Sequence, residues 1–307
     1  MKNYKFVTRL MDKHEYPEEA KKVLSDAFDK IIANEKANKI YESIRTDYLK
    51  KEKNFDKFSD KTKALSEEIG VHIYIVNLVI LLGCTETLLN RYKKENIDEE
   101  IFWDSMIDLK VKMIECKENY DMYGTFVEGW FNGFFNMWRF KVGRFEYDLA
   151  RFGCSEFTIA GETIKDEEFC LGMHIPSHCG SLSMDVRLDS YKKAYKFFRD
   201  KFGDKKYMYV VCGSWLLYPD NDKILPANSN TVDFLYDFEP LNVTTKYDFG
   251  DQWRVFGVQY DDKPVSELPR NTSMQRAFAE WLEKGNKTGS AYSVLVFDGE
   301  KILTRQK

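Results

Sequence analysis

Between Leu171 and Ser183 the chain reads Leu-Gly-Met-His-Ile-Pro-Ser-His-Cys-Gly-Ser-Leu-Ser, an alternating strand that turns through small residues into an amphipathic helix. Such a turn is a seat for an anion. The first N–H groups of a helix lack intrahelical partners and carry partial positive charge, so a turn of short side chains ahead of them can receive phosphate or diphosphate. The candidate contacts are Ser177, His178, Cys179, Gly180 and Ser181, with Ser183 as N-cap of a helix beginning at Met184. Gly180 permits close approach of a ligand to the backbone. An ordinary capped strand-to-helix turn has a similar composition, and Asp185 adds a negative charge to the helix's first turn.

His174 stands on the strand before this turn, on the face opposite Leu171, Met173 and Ile175. A histidine facing a cleft can act as a general base near neutral pH; the plainer alternative is a structural histidine bonded to a loop carbonyl. Cys170, His174, His178 and Cys179 suggest zinc, but Cys170 and His174 lie about 13 Å apart along an extended strand, and ligands of one zinc each sit within about 2.3 Å of it. No metal is expected.

Two further segments follow, Cys212-Gly-Ser-Trp-Leu-Leu-Tyr-Pro219 and Leu225-Pro-Ala-Asn-Ser-Asn230. Ser214 can donate a hydrogen bond to a substrate, or act as a nucleophile beside a base. Its surroundings lack the second glycine of a Gly-x-Ser-x-Gly elbow, which argues against a serine hydrolase. Asn228 and Asn230 flank Ser229 and read as a helix cap or as paired amide contacts to an acceptor substrate. Arg270, Asn271 and Thr272 precede another helix and form an alternative anion site.

Taken together, His174-Ile-Pro, Gly180-Ser-Leu-Ser183, Gly213-Ser-Trp-Leu-Leu217, Leu225-Pro-Ala-Asn-Ser-Asn230 and Leu268-Pro-Arg-Asn-Thr-Ser-Met-Gln-Arg-Ala277 resemble a bacterial two-domain acyltransferase family. In that family a GNAT-like domain follows a helical N-acyltransferase domain. Ile101-Phe-Trp-Asp104, Asp108-Leu109 and Gly143-Arg-Phe-Glu-Tyr147 extend the likeness back to roughly residue 70. The resemblance implies acyl-CoA or acetyl-CoA as co-substrate, held where two parallel strands splay. A small-molecule amine or hydroxyl acceptor would attack the thioester directly. It also implies a tyrosine after the strand that follows the crossover, Tyr218 or Tyr236, as proton donor to the leaving thiolate. The Arg/Gln-x-x-Gly-x-Gly/Ala loop common in the GNAT superfamily is absent. A non-catalytic module that binds acyl-CoA or another small ligand in the same cleft is the alternative.

The elements that must position these groups fall into two halves. The first 142 residues read as helical: Ala20, Val23, Leu24, Ala27, Phe28, Ile31 and Ile32 follow helical spacing, and Asp98 caps a helix whose first turn carries Glu99 and Glu100. Val71–Leu82 is the most apolar run and reads as a buried helix, well short of the ~20 residues that span a bilayer. Phe126, Trp130, Phe134 and Met137 or Trp138 predict one more helix. Trp103, Trp130, Trp138, Phe131, Phe134 and Phe135 read as core, as walls of an acyl pocket, or as a platform for a partner.

After Gly143 the period becomes two, with Phe145, Tyr147 and Leu149 alternating with Arg144, Glu146 and Asp148. The boundary is placed at residue 142, ahead of a GNAT-like domain over 143–307. Strands are expected at about 144–152, 155–160, 167–176, 207–216, 252–260 and 291–303, and helices at about 184–202, 228–237 and 272–284. The fold class is α+β, a mixed and mostly antiparallel sheet with flanking helices and one parallel crossover over 167–216.

With 46 basic and 50 acidic residues and a net charge of −4, the chain has no broad basic footprint for nucleic acid. Six cysteines without CxxC spacing suit reduced thiols in the cytoplasm. The N-terminus lacks the apolar run of a signal peptide, so no membrane association is expected.

Overall fold

The computed structural model describes residues 4–50, 58–246 and 249–306. The chain divides into two compact units, Met1–Lys141 and Val142–Lys307.

The first unit is helical: α1 (Tyr4–Lys13), α2 (Glu18–Ala33), α3 (Glu35–Tyr48), α4 (Phe58–Ile69), α5 (Ile73–Lys94), α6 (Glu99–Tyr120) and the short α7 (Asn132–Phe135). The apolar run seen in the sequence opens α5, whose Val76, Leu78, Val79, Leu81, Leu82, Cys84 and Leu88 are all buried. A helix apolar on every side must be surrounded by protein or lipid. By length and composition α5 can cross a membrane, but 67 % of its most apolar window is packed inside the structure. Gly83 is where α5 meets α3, since a Cβ there would fall 1.8 Å from the Tyr41 hydroxyl. Asp98 caps α6 by accepting from the Glu100 N–H at 2.9 Å.

The single helix expected over 126–138 is not formed. A 3₁₀ turn at Glu128–Phe131 runs into α7, and Met137 at φ 59° reverses the chain. The aromatic spacing there serves a different contact. The Arg139 guanidinium lies 3.6 Å over the Trp130 ring, and the Trp130 indole N–H donates to Asp108 at 2.9 Å. A cation on an aromatic face, with the ring's edge bonded to a carboxylate, fastens this turn.

The second unit is built on a six-stranded sheet whose first strand spans the boundary between the units. Its strands are β1 (Arg139–Val142), β2 (Phe145–Arg151), β5 (Phe169–His174), β6 (Met208–Ser214), β7 (Glu239–Lys246) and β8 (Thr288–Phe297), in the order β1-β2-β5-β6-β8-β7. β3 (Glu156–Ile159) and β4 (Glu162–Lys165) make a separate hairpin. β5 and β6 run parallel, whereas β2–β5, β6–β8 and β7–β8 are antiparallel. The crossover helix α8 (Met184–Phe197) covers one face of the sheet, its Tyr191 stacked on Phe145 with ring centroids 5.5 Å apart. On the other face Phe152, Cys170, Tyr209, Val211, Val294 and Val296 pack with Ile164 of the hairpin.

One expected strand of this unit is absent and one strand was not expected. The 252–260 strand is instead α11 (Gln252–Phe256), ended by Gly257 at φ 96°. Val255 and Phe256 are adjacent and both buried against Phe249 and Phe278, a pairing that a helical turn allows and an alternating strand does not. β7 was not foreseen, because Pro240 and a register shift between Pro240 and Asn242 interrupt its pattern. It is an edge strand, where proline and bulges are tolerated. α9 (Asn221–Ile224), α10 (Asn230–Leu235) and α12 (Ser273–Glu283) complete the fold.

A buried ion network ties α8 to α10 and the chain's last residues. Arg187, with no exposed surface, donates to Asp237 at 2.7 Å and to Asp233 at 2.8 Å. Tyr191 donates to Asp237 at 3.0 Å, and Arg305 pairs with both carboxylates. Four opposed charges in one cluster offset the desolvation that each would suffer alone.

Candidate functional site

β5 and β6 pair only at Leu171 with Val210 and Gly172 with Val211. Beyond that point β5 stays with β2 as far as His174, and β6 stays with β8 as far as Ser214. The two parallel strands therefore part at their C-terminal ends, and ligands of sheets with parallel strands bind outside such ends. The 175–183 turn lies at the mouth of this opening.

His174 reaches a carboxylate that sequence reasoning missed. Its Nε2 lies 2.8 Å from Asp148 Oδ2, with His174 a third exposed and Asp148 mostly buried. Asp148 is on β2 opposite Gly172, and Glu146 is directly opposite His174. The β2 alternation had placed Arg144, Glu146 and Asp148 on one face. That face is not a solvated one, since Glu146 is only 1 % exposed.

Arg144 is 7 % exposed and holds the turn. Its guanidinium donates to the Pro176 carbonyl at 2.9 Å and to the Ser181 carbonyl at 3.2 Å, on either side of the loop. Burial pushes its pKa down, an effect opposed by Cys179 and Glu146 nearby. In a trans peptide the carbonyl and the following N–H point in opposite directions. Drawing these two carbonyls toward Arg144 therefore directs the Ser177 and Leu182 N–H groups away from it. Arg144 is itself placed by α8: the buried Ser190 hydroxyl donates to the Val142 carbonyl at 2.6 Å and accepts from the Phe145 N–H at 3.3 Å. Gly143, at φ 65°, lies so close to Ser190 that a Cβ would fall 2.9 Å from it.

Within the loop, His178 (φ 51°) and Gly180 (φ 91°) both take left-handed backbone, and Gly180 borders open space. His178 Nδ1 lies 3.0 Å from the Ser177 hydroxyl. Ser183 occupies the N-cap position of α8, but its side chain makes no cap bond. Asp185 bonds to Ser183 and to the Val186 N–H, and these hydrogen bonds hold its pKa down. The charge at the helix start is thereby partly satisfied within the helix.

Of the other candidates, Asn230 joins this region, donating to the Ser181 hydroxyl at 3.1 Å. The cap of α10 is Ser229, which accepts from Val232, and Asn228 is exposed. Ser214 ends β6 and caps the 3₁₀ turn after it, accepting from Leu216 at 3.1 Å. Tyr218 is buried at the β7–β8 side, its hydroxyl 3.3 Å from both Asp220 and Thr245. The sheet order puts Thr245's strand two places beyond β6. Tyr236 ends α10 and lines a small cavity with Leu217, Phe238 and Ser293. The structure thus brings His174, the turn and Asn230 to one end of the sheet, and Ser214 and Tyr218 follow the end of the parallel strand β6 at that same end, with the Tyr218 hydroxyl toward Thr245 of β7. At the alternative anion site, the Thr272 hydroxyl accepts from the Gln275 N–H while the Gln275 side chain accepts from the Thr272 and Asn271 N–H groups, a capping box, and Arg270 pairs with Glu283. Among the described residues no group of His, Cys, Asp and Glu is arranged to hold a metal.

Residues 5–137 match the N-acyltransferase N-terminal domain and residues 139–295 match the GNAT-like C-terminal domain. The chain belongs to the two-domain acyltransferase family that joins them. Among solved structures it is similar to an acyltransferase in complex with decanoyl-CoA and teicoplanin, at 17% identity and a TM-score of 0.69, covering 94% of this chain and 86% of that one. An acyltransferase mutant in complex with octanoyl-CoA matches at 16% identity and 0.69, covering 94% and 87%. An acyltransferase bound to decanoyl-CoA matches at 23% identity and 0.61, covering 74% and 67%. At these identities the likeness establishes the fold. Comparison with curated proteins finds no match.

Proposed function

We propose that this chain transfers an acyl group from an acyl-CoA thioester to the amine or hydroxyl of a small-molecule acceptor. The observation that carries the reading is the parting of β5 and β6 directly beside a turn held open by Arg144. Strands that separate leave backbone groups to pair with an extended ligand arm, and the turn receives the diphosphate at its end. Family membership and the CoA thioesters held by similar structures support the same ligand. Teicoplanin in one of them supports a small-molecule acceptor.

In this reading Ser177, His178, Cys179, Gly180, Ser181 and Ser183 frame the diphosphate, and Asn230 steadies Ser181. His174 takes the proton of the attacking nucleophile as its N–C or O–C bond forms, the C–S bond breaks, and that proton returns to the thiolate. Tyr218, at the same end of the sheet with its hydroxyl between Asp220 and Thr245, is the candidate to return a proton to the thiolate beside His174, and Ser214 caps the turn between β6 and that tyrosine.

Calorimetry with CoA, acetyl-CoA and decanoyl-CoA tests the reading, with Gly180→Trp as control. Binding of the thioesters that weakens at least tenfold in Gly180→Trp is expected. No binding of any of the three sinks it. Tight binding with no transfer to any amine or alcohol favours a non-catalytic module in the same cleft.

A further inference from the structure

We propose that Asp148 is the positioning residue for His174, holding a proton on Nε2 so that the proton His174 exchanges is the one at Nδ1. The catalytic half of this statement rests on the acyltransferase reading; the hold on the imidazole does not. An ionised carboxylate can only accept hydrogen bonds, and a neutral imidazole has one donor and one acceptor nitrogen. With Asp148 Oδ2 2.8 Å from Nε2, the shared proton belongs to Nε2 and the lone pair to Nδ1.

The sheet register explains why Asp148 makes this bond. Glu146 faces His174 directly across the β2–β5 pair, whereas Asp148 faces Gly172, one diagonal step away. Diagonal neighbours on one face are separated by about 7–8 Å between backbones, within reach of side chains that lean together. The residue facing Asp148 has no side chain to block that lean, and a Cβ on Gly172 would sit 3.4 Å from the Asp148 Cβ. The charge of Arg144 lies beside Glu146, so the two carboxylates of β2 have different tasks. Glu146 faces the cation that holds the turn, and Asp148 holds the base.

The test uses the full chain with ring-¹⁵N histidine. There are four histidines, so His174 is assigned by its loss in His174→Gln. At alkaline pH, where imidazole is neutral, the wild-type chain is expected to show protonated Nε2 and unprotonated Nδ1 at His174. Asp148→Ala is expected to give a mixture of tautomers there while the His14, His72 and His178 signals stay in place, which shows that the variant is folded. Its kcat for acyl transfer falls about 10²-fold or more, with KM for the thioester within about twofold. Asp148→Glu restores part of both. A wild-type His174 protonated on Nδ1, or an Asp148→Ala chain with wild-type tautomer and turnover, overturns the proposal. Loss of the tautomer in a chain that transfers no acyl group refutes the acyltransferase reading and upholds the role of Asp148 toward the imidazole.

Discussion

Replacing Arg144 by glutamine removes a guanidinium that donates to the carbonyls of Pro176 and Ser181 at 2.9 and 3.2 Å. Hydrogen bonds to charged groups contribute about 1.5–3 kcal/mol each. Ser181 is exposed, so its released carbonyl finds water, whereas the bond to the carbonyl of buried Pro176 counts in full, and the net loss for the pair is about 1.5–3 kcal/mol rather than twice that. Because Arg144 orients the turn, the loss falls on whatever the turn holds. At about 1.4 kcal/mol per tenfold, CoA is expected to bind roughly 10- to 100-fold more weakly, whereas pantetheine, which has no diphosphate, binds as before. Calorimetry with both ligands gives the comparison, and hydrogen exchange over residues 175–183 reports the loop directly. Arg144→Lys keeps the charge without the two-pronged geometry and falls between the two. Equal losses for CoA and pantetheine, or unchanged exchange in the loop, would refute the reasoning.

Asp237→Ala leaves the fully buried Arg187 with Asp233 as its one carboxylate partner beside the Leu182 carbonyl, and breaking a buried pair costs about 3–5 kcal/mol. Because Asp233 remains, the lower end is expected in urea denaturation; a loss under ~1 kcal/mol would show that the network contributes little. His14 is buried beside Trp103, and burial, then Lys13 and Lys110, hold its pKa down at about 4 against an ordinary 6.5. The unfolded chain therefore binds this proton more readily, so the stability His14 contributes is present above pH 6.5 and is lost as pH falls toward 4. The loss is about 2–3 kcal/mol by pH 4.5, and His14→Phe should remove that part of the acid sensitivity; identical acid profiles for the two chains would count against it. Gly180→Ala isolates the backbone: at φ 91° with open space around it, alanine meets strain of about 1–3 kcal/mol and no clash. Its effect on CoA binding should exceed its effect on thermal stability.

The sequence showed a strand ending at His174, a turn of small residues and an amphipathic helix because these are local patterns, and each needs only neighbouring residues to be recognised. The opposed faces of Leu171 and His174 were equally local. Asp148, Glu146 and Arg144 were not legible as site residues, since their meaning depends on how β2 pairs with a strand more than twenty residues away. A period of two says that three side chains share a face; it does not say what covers that face. Arg187 and Asp237 were hidden for a similar reason, lying 50 positions apart with no pattern to link them. Ser214 shows a second difficulty, since its cap bond to Leu216 is a role that serine takes at many helix starts for local reasons alone. The misread strand at 252–260 shows the limit of β-branched and aromatic content as evidence, because Val255 and Phe256 are buried side by side in one helical turn.

The central claim is that an acyl-CoA thioester lies where β5 and β6 part. A crystal structure of the full chain with decanoyl-CoA tests it most directly. The account predicts the diphosphate against the N–H groups of residues 177–182, the pantetheine arm between residues 173–174 and 212–214, and the thioester within one nucleophile's width of His174. Decanoyl-CoA bound elsewhere on the chain, with β5 and β6 unoccupied between them, would contradict it.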